Sequence, residues 1–167
     1  SRGDIPFGSY VLLLGVVLMV AGFGFKISSV PFQMWVPDVY EGAPTPIAAY
    51  LSVASKAAGF AVLLRIFYTA FQGVSQDWAV LFAALSAASM IVGNIGAITQ
   101  SNIKRMLAYS TIAHAGYILA GLAAIAARTP GGDTMGPSGI LFYLGAYAAT
   151  NLAAFFAIIA ITNKVGS

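Results

Sequence analysis

No cysteine and a single histidine occur in this chain, and charged residues make up only 8% of it. Each scarcity excludes something. Without cysteine there are no disulfides, thiolate zinc sites, cysteine-ligated iron–sulfur clusters or thiol nucleophiles within these residues. One histidine leaves no metal-ligand cluster. No dinucleotide-binding fingerprint or flavin site is present. Soluble domains carry about a quarter charged residues. A chain that is 59% hydrophobic and 8% charged cannot cover a water-facing surface, and it reads as an integral membrane protein. The net charge of +3 rests on few groups. With no Lys/Arg-rich run it argues against nucleic acid and fits basic loops at a lipid surface. The first residues, Ser1-Arg2-Gly3-Asp4, lack a methionine and the pattern of a secretory signal, and the chain reads as a piece of a longer one.

What is abundant is apolar sequence. Five long apolar stretches run from about 10 to 35, 45 to 68, 78 to 100, 105 to 127 and 138 to 162. The last four match the ~20 residues that cross a hydrocarbon core as a helix. Spanning backbone must satisfy its own hydrogen bonds, so the expected fold is all-α, a polytopic bundle of about five transmembrane helices forming a single unit. The first stretch is too long for one span and holds Gly22, Gly24, Lys26, Ser28, Ser29 and Pro31. Glycine loosens a helix, and proline removes a donor and clashes with the turn before it. The expectation is a helix broken between Gly24 and Pro31, with Lys26 beside the break. The plainer reading is a helix ending at Ser28 with Lys26 snorkelling to the interface.

Between the first two stretches, Pro37–Pro46 reads as an ordered turn. Thr45 is expected to cap the next helix, with Pro46 at its first position. Trp35 and Tyr40 suit an interfacial aromatic belt. Ser101–Arg105 is a tight basic turn, placed in the cytoplasm because Lys104-Arg105 is the only basic cluster.

The polar groups inside the spans carry the function. Lys56 falls near the middle of the second span, where a lysine costs several kcal/mol unless it is paired, hydrated or neutral. Ser52 shares its face at i, i+4. His114 sits mid-span in the fourth helix, flanked by Ser110, Thr111 and Tyr117. Asp4, Asp38, Glu41, Asp77 and Asp133 all fall in loops or at helix ends. Either the lysines lose their protons, or a carboxylate comes from another part of the protein. Lys26, Lys56 and His114 together suit lateral proton transfer through a bundle. Lys56 could hold a partner helix, His114 could hydrogen-bond a neighbour, and Thr150 and Asn151 read as helix-packing groups. Gly93, Gly96 and Ala97 read as a close-packing surface. Tyr143 and Tyr147 are core or lipid contacts by default.

Several runs resemble a known family. Gly24-Phe25-Lys26, Val30-Pro31-Phe32, Trp35–Pro46 with its PDVYEGAP core, Ser55-Lys56, Asn102–Arg105 and Ala113–Tyr117 are similar, in order and spacing, to the N subunits of proton-pumping NADH–quinone oxidoreductase (respiratory complex I). The resemblance covers essentially the whole chain, and PDVYEGAP is its most specific part. It implies an antiporter-like channel subunit of about fourteen helices built from two inverted five-helix repeats, of which this chain is the middle. It implies that Lys26 and Lys56 are channel lysines and that His114 matches a family histidine. A glutamate on an earlier helix and a lysine on a later one would complete the path. NAD, FMN, iron–sulfur clusters and quinone would belong to other subunits. The partners would be the other membrane-arm subunits and the bilayer, most simply the bacterial inner membrane. Related cation/proton antiporter or hydrogenase-linked subunits share the lysine scheme, and a non-transporting scaffold is the rival of another class.

Overall fold

The structure, a computed structural model, describes residues 7–71, 75–127 and 135–165. Among them the protein is all-α, with six helices in chain order: α1 (Phe7–Ile27), α2 (Trp35–Gly42), α3 (Thr45–Thr69), α4 (Ser75–Ile98), α5 (Ile103–Ala126) and α6 (Met135–Val165). All but α2 are long and apolar enough to cross a membrane. Their many exposed Leu, Ile, Val and Phe side chains fit a lipid-facing surface. Helix ends differ by a few residues from those read off the sequence. α6 begins at Met135, three residues early, and carries Pro137 in a first turn that needs no intrahelical donor there.

The first apolar stretch is discontinuous near Lys26. α1 stops at Ile27 because Ser28 takes a left-handed conformation, φ 65°. The amide of Ser29 then donates to the Gly24 carbonyl (2.9 Å), and that of Ser28 to the Phe25 carbonyl (3.3 Å). This pair of bonds is the Schellman ending of a helix, with serine where glycine is usual. Gly24 is required by close approach: a Cβ there would stand 2.7 Å from the Phe32 ring. Beyond the turn, the amide of Val30 donates to Ser89 Oγ on α4 (2.9 Å) and that of Phe32 to the Ser29 carbonyl (2.7 Å). The indole of Trp35 donates to the Phe25 carbonyl (3.1 Å). Ser28 and Ser29 are fully buried. Irregular backbone in a membrane protein survives where its polar groups are paired and covered in this way.

Three expectations are corrected here. Pro37–Pro46 is not a turn throughout, since Trp35–Gly42 is a helix. Pro37 is its third residue, where no intrahelical donor is lost, and Asp38 in the first turn suits the positive end of the helix dipole. Thr45 does not cap α3; Pro44 occupies the cap and Thr45 and Pro46 are the first two helical residues. Tyr40 is not in an exposed belt but completely buried, edge-on to Phe155 at 6.3 Å between ring centres.

What holds α2 is a charged clasp to the start of α5. Asn102 caps α5 by accepting from the amides of Lys104 and Arg105, and the same side chain donates to Glu41 Oε1 (3.1 Å). Arg105 Nη1 donates to both Asp38 Oδ1 and Glu41 Oε2, each at 2.7 Å. Lys104 Nζ donates to the carbonyls of Glu41 (3.2 Å) and Ala43 (3.1 Å), at the negative end of α2. The PDVYEGAP run and the basic turn are therefore one assembly. Behind the clasp, Val36 and Tyr40 of α2 pack on Ala48, Ala108, Ile112 and Phe155.

α4 and α5 pack backbone to backbone. A Cβ on Gly93 would stand 2.5 Å from the Ala113 nitrogen, and one on Gly116 would stand 2.9 Å from the Met90 nitrogen and Ser86 carbonyl. Small residues at such crossings are the membrane substitute for a hydrophobic drive between helices. At the far end of the bundle, Phe67, Trp78 and Phe82 form an edge-to-face trio with centres 4.9–5.6 Å apart.

Ser28 combines a left-handed backbone with a buried hydroxyl that lacks a hydrogen-bond partner among the described residues. Replacing it with glycine removes both costs at the small entropic cost of a glycine. Ser28→Gly should stabilise the detergent-solubilised protein by about 1 kcal/mol, read as a rise in its thermal unfolding midpoint. A fall of similar size would show that the hydroxyl is engaged.

Candidate functional site

The site begins with a local fault in α3. Leu51–Ser55 form a π-helical turn, and Lys56 is the residue that follows it. One extra residue in the turn shifts the helix phase. The amide of Lys56 bonds to the Val53 carbonyl, not to that of Ser52, which a continuous α-helix would use. The Tyr147 hydroxyl, from α6, donates to the Ser52 carbonyl instead (3.0 Å). Ser52 and Lys56 therefore do not form the i, i+4 pair that the sequence suggests. Ser52 Oγ turns back to the Ala49 carbonyl (2.8 Å), and Lys56 reaches across to α5.

Lys56 is 2% exposed. Its Nζ donates to the Thr111 carbonyl (3.0 Å) and to Thr111 Oγ1 (2.8 Å). The Thr111 hydroxyl gives its own proton to the Ala108 carbonyl (2.8 Å), so it meets Lys56 as an acceptor. Among the described residues the ion pairs are those of Arg105, and no carboxylate reaches Lys56 or Lys26. An ammonium has three donors. Two are used, and the third has no partner among the described residues. A neutral amine has two N–H donors and could keep both bonds. The anchor thus tolerates either protonation state.

One turn further along α5, His114 is half-buried, with Nδ1 2.6 Å from the Tyr143 hydroxyl. The rings of Tyr147 and Tyr117 lie 5.0 and 5.5 Å from it. Tyr143, Tyr147 and Asn151 recur every four residues on α6, which puts them on one face of the helix. Asn151 is buried, and its Nδ2 has no hydrogen-bond partner among the described residues. The Tyr40 hydroxyl lies beside Thr111 without forming a hydrogen bond. Lys56 and His114 are thus gathered around α5, Lys56 bonded to Thr111 and His114 one turn beyond.

Lys26 is placed differently. It is exposed on α1, while its stem crosses α3: Lys26 Cγ is 3.3 Å from the point where a Gly59 Cβ would stand. Gly59 is three residues beyond Lys56, so the two lysine helices cross within one turn of Lys56. The default readings of Tyr143 and Tyr147 missed their hydroxyl contacts. The four-residue spacing with Asn151 was the available signal. Thr150 is exposed, and its hydroxyl returns to carbonyls of its own helix. Among the described residues, no group of three or more His, Cys, Asp or Glu could hold a metal.

The arrangement can be set beside known proteins. The sequence profile described as "NADH:quinone oxidoreductase/Mrp antiporter, TM" matches residues 5–167. The chain belongs to this family. Members similar to it include NADH-quinone oxidoreductase subunit N of Dehalococcoides mccartyi, 55% identical over 93% of this chain and 32% of that protein. Subunit N 2 of Roseiflexus castenholzii is 58% identical over 92% and 31%. NAD(P)H-quinone oxidoreductase subunit 2 of a Synechocystis is 49% identical over 93% and 29%. The chain thus spans about a third of the length of the curated relatives it matches. In fold, this member of the oxidoreductase/antiporter family is similar to a chain of the Mrp complex from Dietzia. There the TM-score is 0.78 and the identity 24%, over 89% of this chain and 26% of that one.

The geometry makes Thr111 the anchor of the family member's buried lysine. Thr111→Val keeps the shape and the carbonyl but deletes one of the two acceptors. It should destabilise the solubilised protein by about 2 kcal/mol, since bonds to charged groups contribute roughly 1.5–3 kcal/mol. Thr111→Ser should lose far less, and equal thermal midpoints for the valine and wild-type proteins would contradict the assignment.

Proposed function

We propose that this chain is part of a proton-translocating membrane-arm subunit of an NADH–quinone oxidoreductase, and that Lys56 is a proton carrier. The observation that carries the reading is the two-bond anchor of Lys56 on Thr111. A buried lysine with no carboxylate among the described residues is costly as a merely structural group. Held by two acceptors, it can give up or regain one proton while staying in place. Its proton affinity then responds to charge in adjoining helices, because nearby charge and solvation set the balance between the two forms.

In this reading Lys26 receives its charge partner from chain outside these residues, and its exposed side of α1 is where that partner packs. A change of charge there passes a proton through water towards Lys56, and from there towards His114 and Tyr143. Histidine suits the last role because it exchanges protons near neutrality without large perturbation. The chain performs no redox step. Hydride and electron chemistry, with NAD, FMN, iron–sulfur clusters and quinone, fall to other subunits. The partners are the neighbouring membrane-arm subunits, and the location is a bacterial plasma membrane. The naming of relatives as oxidoreductase subunits supports this reading over a free-standing antiporter.

Lys56→Met keeps the length of the stem and removes the titratable nitrogen. In the assembled complex reconstituted in vesicles, it should lower protons moved per electron several-fold, measured by pH-indicator quenching against quinone reduction. Full pumping by an intact Lys56→Met complex would overturn the proposal.

A further inference from the structure

We propose that Tyr147 is a positioning residue for Lys56, acting through the π-helical turn; this rests on Lys56 being a proton carrier. Three observations carry it. Lys56 directly follows the turn Leu51–Ser55, and its amide bonds to the Val53 carbonyl. The Ser52 carbonyl, the partner that amide would have in a regular helix, instead receives the Tyr147 hydroxyl at 3.0 Å. The Lys56 side chain is fixed on Thr111 of a third helix by two bonds. Tyr147 therefore satisfies the carbonyl that the Lys56 amide has left, so the turn carries no unpaired acceptor that would draw the amide back into register.

The consequence is rotational. A π-helical turn carries one residue more than an α-turn, and each α-helical residue advances by roughly 100° about the axis. If the Ser52 carbonyl recaptured the Lys56 amide, the extra residue would be expelled from this position. Lys56 would then turn relative to the first half of α3, away from Thr111. Tyr147 is well built for the opposing role. It is 5% exposed and its ring packs 5.0 Å from that of His114. The hydroxyl is thereby aimed by both a buried ring and its acceptor. Apart from His114, the groups facing it are polar and uncharged: Tyr40, Ser52, Thr111, Tyr143 and Asn151. π-Helical turns are rare and cluster at functional sites, and here the turn adjoins the one buried lysine among the described residues.

The test uses the assembled complex with three variants. Tyr147→Phe removes one oxygen and keeps the ring. Tyr147→4-aminophenylalanine restores a donor at the same reach, but one that does not give up a proton as a phenol can. Thr150→Ala, an exposed neighbour on α6 bonded only to its own helix, is the control. Two readouts are taken: protons moved per electron, and the Lys56–Thr111 geometry by electron cryomicroscopy.

With Tyr147→Phe, Lys56 should leave Thr111 and pumping should fall several-fold, while 4-aminophenylalanine should restore both and Thr150→Ala should change neither. Lys56 remaining on Thr111 in Tyr147→Phe overturns the proposal, whatever pumping does. So does equal loss in the phenyl and aminophenyl variants, which would mark Tyr147 as a proton carrier. If Lys56 moves but pumping is unchanged, the positioning role stands and the reading of Lys56 as the carrier falls. Should Tyr147→Phe not assemble, the aminophenyl variant decides alone: wild-type geometry and pumping support the proposal, and loss of either overturns it.

Discussion

The amino group of Lys56 has to be held inside an apolar bundle, and both of its acceptors belong to one residue, Thr111. Nearly every irregular feature of the structure serves that contact. The π-helical turn sets the direction in which Lys56 leaves α3. Tyr147 takes over the carbonyl that the turn releases. The backbone-to-backbone packing of α4 on α5, through Gly93 and Gly116, fixes the helix that carries Thr111. The clasp of Asp38, Glu41, Asn102, Lys104 and Arg105 ties the start of that same helix to α2.

The broken end of α1 obeys the same rule by other means. Its amides are paired through a left-handed serine, the Ser89 hydroxyl and local carbonyls, and the turn is buried. A helix interrupted at membrane depth needs this coverage. The interruption lets α2 fold back under the bundle, where Tyr40 is sealed against Phe155 and beside Thr111. The region around Lys56 is thus closed from one side by a short helix that the Pro-rich run would not suggest.

Much of this was legible in the sequence because it depends on composition and short-range chemistry. Five spans follow from apolar length. The interruption near Lys26 follows from glycine, serine and proline in close succession. Lys56 and His114 stand out because titratable groups are rare in such stretches. Other features left no local mark. Leu51–Ser55 reads as ordinary helix, and its extra residue is visible only once α5 and α6 are in place. Pro37–Pro46 reads as a turn because of its prolines, yet Pro37 stands in the first turn of a helix, where there is no donor to lose. The clasp joins residues more than sixty apart. Tyr143 and Tyr147 looked like core aromatics, since spacing alone does not say where a hydroxyl points.

That a buried lysine can exchange one proton without leaving its anchor is the central claim. A high-resolution electron cryomicroscopy structure of the whole assembled complex tests it most directly, because it would show the ordered water and the helices that adjoin α1. The account predicts a carboxylate within salt-bridge reach of Lys26, and ordered waters leading from Lys26 to the third donor of Lys56. A dry interior, with Lys56 sealed on Thr111 and no water or titratable group at its remaining donor, would contradict it.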